Sequence, residues 1–145
     1  MLLALVVWIG GVVFFCFVMA PTLFAVLSPP VAANVVSPAL TKLHDIGLVA
    51  GAVFLISSLI YNWRKYAQLR LLSATHVLVV LMMALTAISQ FAITPRMREL
   101  RSAGLTGGEV RAEFDRLHNW STRAEGGVLL LGLVVVALTA RERSN

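Results

Sequence analysis

From Leu2 to Leu27 the sequence carries no charged side chain. A spanning helix needs about 20 mainly apolar residues to cross about 30 Å of hydrocarbon, so this run alone points to a membrane. It reads as a span rather than a signal peptide, because it lacks a basic leader and its apolar stretch is too long. The whole chain agrees. Of its 145 residues 59% are hydrophobic and 13% charged, about half the charged share of roughly 25% in soluble domains. A soluble domain of this size could not bury that much apolar surface. A disulfide-stapled secreted fold is excluded by the single cysteine, Cys16.

Breakers divide the chain into four spans, about 2–27, 43–61, 71–93 and 117–140, in one transmembrane domain. Ser28-Pro29-Pro30 ends the first, and a polar-to-small segment is expected through Pro38. Gly47 and Gly51, four residues apart on the second span, allow another helix close approach. Pro95 marks the exit of the third. A polar helical connector of about 96–116 follows, with a short helix over 96–102 closed by Gly104 and a new start at Thr106-Gly107-Gly108-Glu109. Arg111 and Asp115 are spaced to pair on its wet face. The strongly apolar part of the fourth span, Gly126 to Ala140, is only about 22 Å long. Arg123 and Glu125 are therefore expected at or inside the membrane boundary, facing protein, each other or headgroups. The expected fold is an all-α, four-transmembrane-helix bundle packed through Gly10, Gly11, Gly47, Gly51, Gly126, Gly127 and Gly132.

A faint internal repeat runs through it. Pro21 and Pro95 are 74 positions apart, and so are His44 and His118. The flanks of the histidines agree, Lys42-Leu43-His44-Asp45 against Arg116-Leu117-His118-Asn119. Two helical hairpins in parallel orientation are the expected consequence, with both histidines toward one membrane face.

The formal net charge is +5, from 12 Lys and Arg against 7 Asp and Glu. These basic residues flank apolar runs, as in Trp63-Arg64-Lys65-Tyr66, so lipid phosphate rather than nucleic acid is the expected counter-charge. Lys and Arg counts narrowly favour the face bearing residues 96–116 as cytoplasmic, whereas the density of charge in the short 62–70 connector and the tail favours the other. Both termini are expected inside a bacterial inner membrane.

Trp8-Ile9-Gly10-Gly11, Phe14-Phe15 and Ala20-Pro21-Thr22-Leu23-Phe24 form one set of local signatures. Thr94-Pro95, a charged stretch and Phe114-Asp115-Arg116-Leu117-His118-Asn119-Trp120-Ser121 form a second. In order and spacing they resemble the transmembrane protein 205-like family over nearly the whole chain. That resemblance implies a four-helix membrane domain with no settled biochemical activity, and it supplies no catalytic residues. At the level of fold alone it is distantly similar to copper-resistance-type and haem-handling membrane bundles.

Candidate chemistry is sparse. His44 and His118 on neighbouring helices have the residue type to hold haem, a chlorophyll magnesium or a transition metal, with Asp45 and Asp115 as further oxygen donors. The plainer reading gives each histidine a backbone or water partner near a helix start. No EXXH or HEXXH spacing is present, so no dedicated metal site is expected. His118, Ser121 and Glu125 share a polar helix face that continues to Gly132, suited to a proton or small-solute path or to a hydrated helix start. His76, Thr86, Ser89 and Gln90 give the third span polar groups of the kind that bond between helices. Met82 and Met83 read as packing. Ser57, Ser58 and Cys16 lack a base partner for nucleophilic chemistry, and no enzyme is expected. The leading expectation is a non-catalytic accessory or scaffold subunit, packing with other membrane subunits or as a homo-oligomer. The alternatives are a haem, chlorophyll or metal-binding protein using His44 and His118, or a small-solute or metal exporter near Glu125. The bound group is expected to be a tetrapyrrole or a lipid, if there is one.

Overall fold

The computed structural model describes residues 1–66 and 73–144, and the described residues are almost wholly helical with no strand. Six α-helices and two π-helical turns build four long rods. The first is α1 (Leu2–Phe14), a π turn (Phe15–Met19) and α2 (Ala20–Val26), and the second is α3 (Pro29–Tyr66). The third is α4 (Ala74–Ile88), a π turn (Ser89–Ile93) and α5 (Thr94–Ser102), and the fourth is α6 (Gly108–Ser144). All four are long and apolar enough to cross a membrane. Large side chains such as Leu3, Phe17, Phe91 and Leu130 point outward, as lipid contact requires.

The second rod starts earlier than its apolar pattern announces. Leu27 is extended (φ −109°, ψ 154°) and ends α2, after which Pro29 and Pro30 open α3 directly. Proline suits a first turn, where its missing N–H has no helical partner to lose. The helix then continues through Pro38, so the polar-to-small segment is part of the second rod. At 38 residues α3 is about 57 Å long and outreaches the bilayer, as does α6 with 37. Toward this end of the bundle α3 packs against α2, and α6 against α5. The third span opens at Ser73, whose side chain accepts from the His76 N–H; the expected start at Leu71, and the connector from residue 67, lie outside the described residues.

Three left-handed residues, Gly104 (φ 89°), Leu105 (φ 51°) and Gly107 (φ 109°), reverse the chain between α5 and α6. Glycine adopts that region without a Cβ clash, whereas Leu105 costs about 1–2 kcal/mol there. Arg96 closes the corner. It bonds Glu113 of α6 through Nε (2.9 Å) and Nη2 (3.2 Å), and Glu99 through Nη1 (2.9 Å). At this corner it is Glu113, rather than the expected Arg111–Asp115 pair, that ties α6 to α5 by an ion pair.

The two π turns coincide with the repeat: Phe15–Met19 and Ser89–Ile93 are 74 positions apart, each ending two residues before a proline of the Pro21/Pro95 pair. A proline inside a helix donates no hydrogen bond and its ring displaces the carbonyl four residues back. Here the chain absorbs the disturbance by widening one turn, so that the Ala20 N–H reaches Phe15 O and the Thr94 N–H reaches Ser89 O.

Close packing fixes how the rods slide against one another. Trp8 is 1% exposed and lies on α3 where glycine leaves room; a methyl group on Gly47 would stand 2.4 Å from its Nε1, and one on Gly51 2.7 Å from Met83 Cγ. On α6 a methyl group at Gly132 would meet Ile9 at 2.8 Å and Met82 at 3.2 Å. Gly11 lies against Leu43 and Gly127 against Leu85, while Gly10 and Gly126 have open space instead of the expected packing. Trp8 and Met82, and Ile9 and Met83, are repeat mates at 74. Gly51 and Gly132, which serve the same level of the bundle, are 81 apart. The fourth span is thus slid by seven residues, two helical turns, which keeps the same face inward.

Gly47→Ala is expected to destabilise the protein by about 1–3 kcal/mol through overpacking on Trp8. Gly10→Ala is expected to stay within about 0.5 kcal/mol of the native chain. Unfolding in detergent, followed by helical ellipticity, checks both.

Candidate functional site

Leu43 fits over Gly11 and sends the next side chain, His44, into the centre of the bundle, where it is 2% exposed. The π turn of the third rod faces it. A widened turn turns consecutive side chains through a smaller angle, so Ser89 and Gln90 both meet neighbouring helices. Ser89 Oγ lies 3.4 Å from Ser121 Oγ on α6, and its carbonyl accepts from Thr94 Oγ1 at 2.8 Å. Gln90 reaches α3 instead.

There the contacts form a chain. Gln90 Nε2 donates to Asp45 Oδ1 at 3.1 Å, and Gln90 Oε1 is 2.9 Å from His44 Nδ1. His44 Nε2 is 2.5 Å from Glu125 Oε1 on α6. The exposed Asp45 carboxylate can only accept, so it fixes which end of the amide turns toward it. The amide oxygen then receives the Nδ1–H, leaving His44 Nε2 for Glu125. A hydrogen bond between Nε2 and the carboxyl group can be drawn either as imidazolium with carboxylate or as imidazole with carboxylic acid. In both forms the pair is net neutral. Glu125 is 7% exposed, and an unpaired carboxylate so placed would suffer a desolvation penalty of several kcal/mol.

Glu125 also lines a cavity of about 440 Å³ between α2, the N-terminal part of α3, α5 and α6. Cys16 of the first π turn shares the inner part with it, Phe17, Phe24 and Leu129 supply apolar walls, and Arg98, Arg101 and His118 also line it.

Several residues singled out from sequence stand apart from one another. His118 is exposed, its ring parallel to Phe114 at a centroid distance of 6.3 Å, and no hydrogen bond or ring contact joins it to His44. The slide of the fourth span explains this. Glu125 follows His118 by seven residues and takes the place opposite His44, while His118 moves about 10 Å outward on the same face. Ser121, between them, is buried on Ser89. Arg123 points away from Glu125, with its guanidinium 6.0 Å from the Trp120 ring centroid. His76 is buried at the opposite end of the third span, beside Ser73 Oγ, about 21 Å of helix from Gln90. Among the described residues no group of three or more His, Cys, Asp or Glu side chains is placed to hold a metal ion. Sequence reasoning set His44 near the polar face of Glu125 but did not pair the two side chains, and it did not single out Arg98 and Arg101 as cavity-lining residues.

Removing Glu125 alone (Glu125→Leu) is expected to cost about 1–3 kcal/mol, because His44 Nε2 is left buried without a hydrogen-bond partner while Gln90 still holds Nδ1. The double variant His44→Leu/Glu125→Leu is expected to lose less than the sum of the singles. Detergent unfolding of all four proteins measures the coupling.

The family described as Domain of unknown function (DUF4149) matches residues 3–106, which take in the first three rods with His44, Gln90, Arg98 and Arg101 and stop short of α6. No curated protein and no solved structure matches the chain. With well over half of its length matched, this four-span helical chain belongs to the DUF4149 family.

Proposed function

We propose that the protein is a non-catalytic membrane protein that takes a small solute into the cavity beside Glu125, with occupancy linked to the proton of the His44–Glu125 pair. The carrying observation is that one carboxylate, Glu125, is both a cavity wall and the partner of a buried imidazole. Loss of the shared proton leaves a net negative charge in a poorly solvated place. A solute that excludes water makes that charge costlier still, so solute and proton favour one another, and the coupling is reciprocal. The charged and titratable groups around the pair are Asp45 acting through Gln90, Cys16 across the cavity, and His118, Arg98 and Arg101 along its wall. Haem or chlorophyll ligation by His44 would first have to displace Gln90 or Glu125 from the ring, so the geometry favours the proton pair.

The resemblance to the transmembrane protein 205-like family and the placement in a bacterial inner membrane belong to this reading on sequence grounds. An accessory role has one supporting observation. Gly10 leaves a notch on an outward face otherwise built of bulky side chains such as Val6 and Val13, a place for a helix of another subunit. Recovery from mild detergent with a companion chain would support that role, and recovery as a lone monomer would count against it.

The proton link is tested by infrared difference spectroscopy of the protein in lipid nanodiscs. The expected result is a carboxyl band that responds to solute loading, is missing in Glu125→Gln and moves in His44→Gln. A spectrum identical in wild type and Glu125→Gln would sink the reading.

A further inference from the structure

We infer that the cavity accepts a single-chain amphiphilic anion, with its carboxylate or phosphate head on Arg98 and Arg101 and its apolar tail directed toward Glu125. The inference rests on the reading of this cavity as a solute site and adds the class of solute.

The charge argument begins with Arg96. It engages both nearby carboxylates, Glu99 and Glu113. Arg98 and Arg101, also on α5, have no carboxylate partner among the described residues. Arg98 Nη2 lies 3.5 Å from Thr41 Oγ1, and Arg101 donates to Ala33 O at 3.4 Å. Arg101 is further steadied by the Phe114 ring, 5.5 Å from its Cζ. Two guanidinium groups are thereby held one turn apart on a cavity wall, with donors left over. Guanidinium donors match the oxygens of a carboxylate or phosphate, and each such charged bond is among the stronger hydrogen bonds available.

Shape and polarity select the rest of the molecule. Phe17 and Phe24 line the cavity and are also exposed on the outer surface of the bundle, so an apolar tail can enter from the lipid side. A volume of about 440 Å³ falls within the range of small-ligand sites, roughly 300–1,000 Å³, and suits one chain better than two. At the inner end the tail meets Glu125 as part of a net-neutral pair. Gly126 gives a direct handle on occupancy. It lines the cavity and a methyl group there would meet nothing within 4 Å, so a larger side chain can fill the space without disturbing the backbone.

The test uses the full chain in phosphatidylcholine nanodiscs and a photoactivatable diazirine analogue of palmitic acid. Labelling is expected on cavity-lining peptides, and it should be displaced by palmitate but not by hexadecanol. Arg98→Gln/Arg101→Gln should weaken it at least about tenfold. Arg98→Lys/Arg101→Lys should retain most of it, and Gly126→Leu should abolish it with helicity and gel-filtration behaviour intact. Should the double glutamine variant misfold, the lysine variant and the competition arm decide. Equal displacement by hexadecanol, or labelling unchanged in a folded Arg98→Gln/Arg101→Gln protein, would overturn the anionic head. Displacement by phosphatidylglycerol but not palmitate would overturn the single chain. If labelling fails while the Glu125 carboxyl band is present and still moves in His44→Gln, the solute class is wrong and the proton link stands; if the band itself is absent, the underlying reading falls.

Discussion

A polar side chain inside hydrocarbon has no water to turn to, so each one must be satisfied by another part of the protein. That constraint organises the centre of this bundle. Asp45, Gln90, His44 and Glu125 satisfy one another in sequence and tie α3, the third span and α6 together at one level. Ser89 and Ser121 make a second tie between the third and fourth spans. Lipid supplies no hydrophobic force to press helices together, so such contacts, with the glycine-to-tryptophan packing around Trp8, decide how the rods stand relative to one another.

The prolines act on the site through the backbone. Pro21 and Pro95 each follow a widened turn, and in the third span that turn presents two consecutive polar residues to two different helices. In the first span the matching turn carries Phe15 and Cys16, and both line the cavity. One backbone device therefore serves two purposes in the two halves: a polar junction in one, a cavity wall in the other. The seven-residue slide of the fourth span breaks the symmetry further. It sets an acid where the repeat would set a second histidine, and so replaces a pair of imidazoles with an imidazole hydrogen-bonded to a carboxyl group.

The N-terminal turns of α3 give the cavity its mixed character. They carry Ala33 and Thr41, which position Arg101 and Arg98, while α2 keeps Phe24 exposed on the outer surface of the bundle. Arg96 contributes indirectly, by occupying Glu99 and Glu113 and leaving the next two arginines without acidic neighbours.

Sequence by itself determined the four apolar rods, the breakers at Ser28-Pro29-Pro30 and Gly104, the close-packing role of Gly47, Gly51 and Gly132, and the repeat spacing of Pro21 and Pro95. All of these follow from local chemistry: hydropathy over one helix length, missing donors and missing Cβ atoms. The helical course through Pro38 was hidden, because proline lowers helix propensity locally while neighbouring rods stabilise the helix from outside. The partnership of His44 with Glu125 was hidden for a related reason. Which residues share a depth depends on how far one rod slides along another, and a slide of two full turns preserves every face that periodicity can reveal. Packing of Ile9 and Met82 against Gly132, with the Ser89–Ser121 tie, fixes that distance, and only the folded bundle therefore decides that the imidazole meets a carboxylate.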